Sequence, residues 1–322
     1  MGYISIFTYF PSLSLFLIFI PYLLVHNCIH HDCTPTHPAN MSTVTQRETS
    51  KHTHTVIFLH GRDSNAQEFA DEFFESEASE PAGRPRTLPD LFPGIRWVFP
   101  TAPALYSKRF DTTISQWFDI WSVEDPEQQV EIQMDGLKQS VAALLEVIRA
   151  EEIHVPRQNI YLGGISQGFA TALSTFFANG QGFAGLIGLC SWMPFANLLE
   201  ELTASSANDE HLSNAVHRIY FDQQSPKGLS SPFLRSTPIF LGHSIDDDIV
   251  PIRNGRRMRD VLVRSLRLNA QLHEYTDGGH WVNEPQGVDD IVEFLNLTMP
   301  KPGISDDEII HVESTIDLSP VQ

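Results

Sequence analysis

Ser166 stands in Gly164-Ile165-Ser166-Gln167-Gly168, directly after the apolar run Asn159-Ile160-Tyr161-Leu162 and before a helix-forming stretch that begins at Gln167. Glycine two residues to either side of a serine, at a strand-to-helix junction, is the sequence form of a nucleophile elbow. The turn is too tight for side chains at the glycine positions, and it lifts the hydroxyl clear of the backbone. A tight connection with no chemical role is the competing reading. A serine hydroxyl is a weak nucleophile at neutral pH and needs a base that a carboxylate orients. On a strand–turn–helix scaffold of this kind those partners follow in chain order, acid and then histidine. The segment FLGHSIDDDIVP supplies Asp246, Asp247 and Asp248, and YTDGGHWV supplies His280 behind two glycines. Each segment leaves the end of a candidate strand, where ligands meet an open α/β sheet.

Acyl transfer also needs N–H donors for the oxyanion that forms in the transition state. One is the backbone amide of Gln167, the residue after the serine. The other comes from the loop behind the first strand, FLHGRDSNAQEF, where Gly61 permits the turn and the amide of Arg62 is the candidate. The same stretch also reads as the start of a helix capped by Ser64 or Asn65, and the two readings are compatible.

The elements that must hold these residues alternate. Strand candidates are TVIFLH, IRWVFP, NIYLGG, FAGLIGLC, TPIFLG and AQLHEY, each rich in β-branched or aromatic residues and ended by a turn signal. Helix candidates lie at 65–76, 127–150, 167–178, 253–266 and 284–297. Such alternation specifies a mostly parallel central sheet flanked by helices. The span at about 195–236 is too long for a simple crossover and reads as a partial lid. In RNGRRMRDVLVRSLR the arginines read as the solvated face of an amphipathic helix.

Of 322 residues, 42 % are hydrophobic, enough for a full core, and the net charge of −19 repels polyphosphate and argues against nucleic-acid binding. The three cysteines form no disulfide framework and suit a reducing compartment. Residues 1–50 read as a hydrophobic leader and linker, 51–299 as the catalytic domain and 300–322 as an acidic flexible tail. The leader lacks a positive n-region and a small-residue cleavage site, and Pro11 and Pro21 interrupt it. Its histidines and cysteines match no zinc spacing, so no metal is expected. A cytoplasmic location follows, with membrane anchoring or secretion as the alternative if residues 1–25 are a genuine anchor or signal.

The stretches FLHGRDSNAQEF, FPTAP, QWFDIW, NIYLGGISQGFA, GLCSWMPF, GHSIDDDIVP and GGHWV resemble, in the same order, those of acyl-protein thioesterases and small carboxylesterases. These enzymes, often grouped with lysophospholipases, have the α/β-hydrolase fold, and the resemblance covers most of residues 55–297. It implies Ser166 as nucleophile, His280 as base, Asp247 rather than its neighbours as acid, and the amides of Arg62 and Gln167 as oxyanion donors. It also implies that Trp117, Trp192 and Met193 lie beside the acyl site, although core packing is an equal reading of the tryptophans. Two positions depart from the family pattern: Phe169 replaces a glycine after the elbow, and Asp63 replaces the second glycine of the oxyanion loop.

The function expected is hydrolysis of carboxylic esters or thioesters through an acyl-enzyme without a cofactor. The substrate is an acylated protein or a small ester or thioester, and transient contact with a membrane surface remains open. The alternatives are a lysophospholipase and, outside enzymes, a hydrolase-fold protein that binds small molecules without turnover.

Overall fold

The computed structural model describes residues 41–206, 209–221 and 232–299. The strands are β1 (Thr43–Gln46), β2 (His54–Leu59), β3 (Ile95–Pro100), β4 (Ala104–Ser107), β5 (Thr112–Ser115), β6 (Ile160–Ile165), β7 (Gly185–Leu189), β8 (Ile239–Ser244) and β9 (Ala270–Tyr275). The helices are α1 (Ala66–Phe73), α2 (Leu88–Leu91), α3 (Met134–Glu151), α4 (Gln167–Asn179), α5 (Ala196–Ser205), α6 (Asp209–Tyr220), α7 (Pro232–Ser236), α8 (Ile252–Asp260) and α9 (Gln286–Thr298). Seven strands form one sheet in the order β1-β3-β2-β6-β7-β8-β9, parallel except for β1. Strands β4 and β5 pair separately as a hairpin.

Strand β2 shows why this sheet is covered on both faces. Its run is buried throughout, and alternate side chains enter different cores. Ile57 and Leu59 join the core under α3, α4, α5 and α6. Val56 and Phe58 join the one under α1, α2 and α9. The order in which strands are added reverses between β2 and β6, which pair in register with Leu59 opposite Gly164. The crevice outside the carboxyl ends of such a pair is where open α/β sheets bind ligands. The loops carrying Gly61 and Ser166 emerge there side by side.

Two expectations are corrected. Residues 43–46, read as linker, form the edge strand β1, antiparallel to β3 with Thr43 opposite Pro100. The described part of 195–236 is no lid. Leu199, Val216 and Tyr220 are buried in the core shared with α3 and α4, and the Tyr220 hydroxyl donates to the Pro194 carbonyl at 2.9 Å. Apolar helix faces took this segment to the sheet rather than over a cleft. The arginines of α8 form the solvated face expected of an amphipathic helix, with Arg253 and Arg256 exposed and Met258 buried, and on that face Arg256 pairs with Glu274 at 2.6 Å and Arg257 with Glu200 at 2.8 Å. The leader at 1–40 and the tail at 300–322 lie outside the described residues.

Candidate active site

Ser166 occupies the turn between β6 and α4 with φ 55° and ψ −126°, a left-handed conformation that costs a side-chain-bearing residue strain. The turn is pinned by the Ser166 amide, which donates to Leu189 O at 2.8 Å, and by the Ser191 hydroxyl, which donates to Ser166 O at 2.7 Å. The flanking glycines are required by close approach. A Cβ on Gly168 would lie 2.4 Å from the carbonyl oxygens of Leu59 and His60, and one on Gly164 would lie 2.7 Å from Leu59 O. The departure at Phe169 is compensated from β7. A Cβ on Gly188 would sit 2.4 Å from the Phe169 ring, so the missing side chain there makes room for the aromatic one.

His280 follows Gly278 and Gly279, both at positive φ. Its Nδ1 donates to Oδ2 of Asp247 at 2.8 Å. Asp247 is buried, while Asp246 and Asp248 are exposed, and of the three side chains it is Asp247 that contacts the His280 imidazole. Oδ1 of Asp247 accepts the amides of Ile249 at 3.0 Å and Val250 at 2.8 Å. Burial pushes the Asp247 carboxyl upward. The adjacent imidazoles of His243 and His280, the His280 charge and the Val250 amide together outweigh it and hold the group well below the usual carboxylate range. Asp246 acts on the backbone instead: its Oδ1 accepts the Gly279 amide at 2.9 Å and fixes the approach to His280.

His243 and Cys190 are buried neighbours of the His280–Asp247 pair to which the sequence assigns no role. The buried His243 places Nε2 2.7 Å from Val250 O and 3.3 Å from Asp247 Oδ2. Helix α8 packs directly on this ring, and a Cβ on Gly255 would lie 2.5 Å from its Nδ1. The thiol of Cys190 donates to Trp281 O at 3.3 Å, with Gly279 O at 3.8 Å, and so grips the backbone on both sides of His280. Burial, followed by the Asp247 charge, raises this thiol far above its ordinary range, which keeps it protonated.

The Gly61–Asp63 loop is braced at several points. His60 is buried, with Nδ1 donating to Gly61 O at 2.7 Å and Nε2 accepting the Ala102 amide at 3.0 Å. One donating and one accepting nitrogen define a neutral ring, and burial correspondingly lowers its pKa. Asp63 takes φ 61°, so the left-handed turn is made without the family's glycine, and its amide donates to Ser115 O at 2.7 Å. Asn65 caps α1 through the amides of Gln67 and Glu68 at 3.1 and 3.0 Å.

Trp117, Trp192 and Met193 do not line the cleft. Trp117 is fully buried: its indole N–H donates to His60 O at 2.9 Å, and its amide donates to the side chain of Gln167 at 2.9 Å. The side-chain Nε2 of Gln167 in turn donates to Phe118 O at 2.7 Å. Trp117 therefore braces the site from behind. Trp192 and Met193 border a separate 40 Å³ cavity beside α8. The cleft that Ser166 and His280 share has a volume of about 550 Å³, and its apolar walls include Phe69, Phe110, Ile114, Val123, Ile249 and Trp281. Cys190, Asp247 and His280 also bring three metal-ligating atoms within 4.8 Å of one another.

The family model of the phospholipase/carboxylesterase proteins matches residues 40–223 and 221–299. The chain belongs to that family of α/β hydrolases. Acyl-protein thioesterase 1 of Cryptococcus neoformans is 26% identical over 215 residues, covering 66% of this chain and 74% of its own. That of Yarrowia lipolytica is 26% identical over 248 residues, covering 76% and 90%. Among solved structures, Zea mays acyl-protein thioesterase 2 superposes with a TM-score of 0.57 at 22% identity, covering 80% of this chain and 99% of its own. The Bacillus cereus carboxylesterase does so at 0.53 with 15% identity, covering 81% and 96%. Both share the fold.

Proposed function

We propose that the protein is a serine-dependent hydrolase of acyl esters and thioesters, with acylated proteins as its leading substrate class. The observation that carries this reading is the His280–Asp247 bond at 2.8 Å behind a cleft that His280 shares with Ser166. His280, with Nδ1 committed to the acid, takes the Ser166 proton through its other nitrogen. The serine oxygen attacks the acyl carbonyl, and the amides of Arg62 and Gln167 receive the negative charge that develops on the carbonyl oxygen. His280 then protonates the departing alcohol or thiol, which leaves the acyl group on Ser166. Water enters, loses its proton to His280 and releases the carboxylic acid, regenerating the serine. The names of the relatives support a thioesterase, and the apolar cleft walls support an acyl chain as the bound part.

The test is hydrolysis of matched esters and thioesters, from acetyl to palmitoyl, by the full-length protein, with Ser166→Ala as control. Turnover that rises with chain length and is lost in the variant supports the reading. Retained turnover in Ser166→Ala would overturn serine dependence, and a folded protein that turns over none of the substrates would be a binding protein.

A further inference from the structure

The Arg62 side chain lines the same cleft as Ser166 and His280. Its guanidinium is only partly exposed and lies over the Phe110 ring, 5.1 Å from the centroid. Arg109, at the tip of the β4–β5 hairpin, lies 5.6 Å from the centroid of the same ring. One exposed phenyl therefore gathers two guanidinium groups at the mouth of the cleft.

Each group uses little of its donor capacity. Arg62 Nη1 donates to Ile120 O at 3.4 Å, and Arg109 Nη1 to Trp121 O at 2.7 Å. Among the described residues, neither forms an ion pair within 4 Å. Burial and then the charge of Arg109 both disfavour the Arg62 cation, and the attraction of Asp119 and Asp63 offsets them only in part. Asp119 is buried: its Oδ2 accepts the Lys108 amide at 3.1 Å, while its Oδ1 has no hydrogen-bond partner among the described residues. Asp63 and Glu72 are the acids that line the cleft and oppose an anion. A guanidinium with unused donors in fixed fork geometry is matched by a carboxylate or a phosphate.

We propose that Arg62 and Arg109, stacked on Phe110, form a subsite for an anionic group on the substrate. The preferred substrates are then acyl esters or thioesters that carry a carboxylate or phosphate besides the bond that is cleaved. This rests on the hydrolase reading above and narrows its substrate class. The protein's charge of −19 works against anions at long range, so selection for them must come from such a local pair.

The experiment compares kcat/KM for ethyl hexanoate with monoethyl adipate, and for monohexanoylglycerol with its phosphate monoester. The adipate places a carboxylate on the acyl side, and the glycerol phosphate places the anion on the alcohol side. The expected result is a preference of roughly ten- to hundred-fold for the anionic member of one pair, carried mainly by KM. Which pair shows it identifies the anion that is read. Arg109→Gln removes most of that preference and leaves hydrolysis of the neutral ester unchanged. Arg62→Gln, which keeps the backbone amide, also reduces it. Anionic substrates cleaved no better than their neutral partners would overturn the proposal, as would a preference that survives Arg109→Gln. Neutral-ester turnover that requires Ser166 keeps the hydrolase reading standing in either case. Without such turnover both readings fall together.

Discussion

Nδ1 of His280 donates to Oδ2 of Asp247 at 2.8 Å, and Nε2 of His243, which donates to Val250 O at 2.7 Å, lies 3.3 Å from the same carboxylate oxygen. With the amides of Ile249 and Val250 on Oδ1, the carboxylate has donors on both oxygens and little freedom to turn. His243 thus ties the Val250 carbonyl beside the carboxylate, and it is expected to position His280 through Asp247. His243→Leu keeps a buried apolar volume and removes the donor. Turnover should fall roughly ten-fold or more through kcat, with KM nearly unchanged. Gly255→Ala, which pushes on the same ring from α8, should lower kcat in the same direction.

The lowered pKa of Asp247 makes a prediction about stability. A carboxyl depressed in the folded state stabilises the fold above its unfolded value of about 3.9, and that contribution is lost as pH falls through the folded value. Asp247→Asn should therefore be less stable than the natural protein at pH 7, with the difference shrinking below about pH 4 as the same carboxyl in the unfolded natural chain takes up its proton. Denaturant unfolding at a series of pH values checks this. The same variant should lose activity by roughly 10⁴-fold, whereas Asp248→Asn should retain it. A similar loss in Asp248→Asn would assign the acid wrongly.

Gly188 and Phe169 are matched across β7 and α4, so their substitutions should be coupled. Gly188→Ala places a Cβ 2.4 Å from the ring and should destabilise the protein by about 1–3 kcal/mol. In a Phe169→Ala background the added methyl meets no ring, and its cost should largely disappear. A double-mutant cycle on thermal unfolding measures this coupling. Additive effects would show that the glycine serves something other than the aromatic ring.

How much of this was readable from the chain depends on how locally each feature is encoded. The turn at Ser166 is written in adjacent residues, although its glycines also answer the close approach of the Leu59 and His60 carbonyls. The parallel strands were also legible, since burial on both faces produces continuous apolar runs such as TVIFL. Strand β1, with the sequence TVTQ, is short and polar and owes its place to β3, so nothing local announces it. The hairpin of ALYS and TTIS is likewise short and lacks a strong alternating pattern. Asp247 could be separated from its neighbours only by a family resemblance until burial and contact distinguished it. The cleft walls come from well-separated positions, including Phe69, Ile114, Ile249 and Trp281, which only the tertiary fold assembles. Trp117 and Trp192 have the residue type expected of an acyl pocket, but their backbones direct them into the interior.

The corrected place of Trp117 separates two kinds of kinetic defect. Its indole N–H supports His60 O, directly before the Gly61–Arg62 amides, and its backbone is tied to Gln167. Trp117→Phe removes the indole bond and should lower kcat about three- to ten-fold, by the same factor for short and long acyl chains. Ile249→Ala, by contrast, removes a cleft wall and should reduce kcat/KM increasingly as the acyl chain lengthens, because each methylene deprived of burial forfeits up to about 0.8 kcal/mol. An acyl series from acetyl to palmitoyl run on both variants checks the distinction. If the Trp117→Phe defect grew with chain length, the tryptophan would belong to the acyl site after all; a flat profile for Ile249→Ala would place the acyl chain along another wall of the cleft.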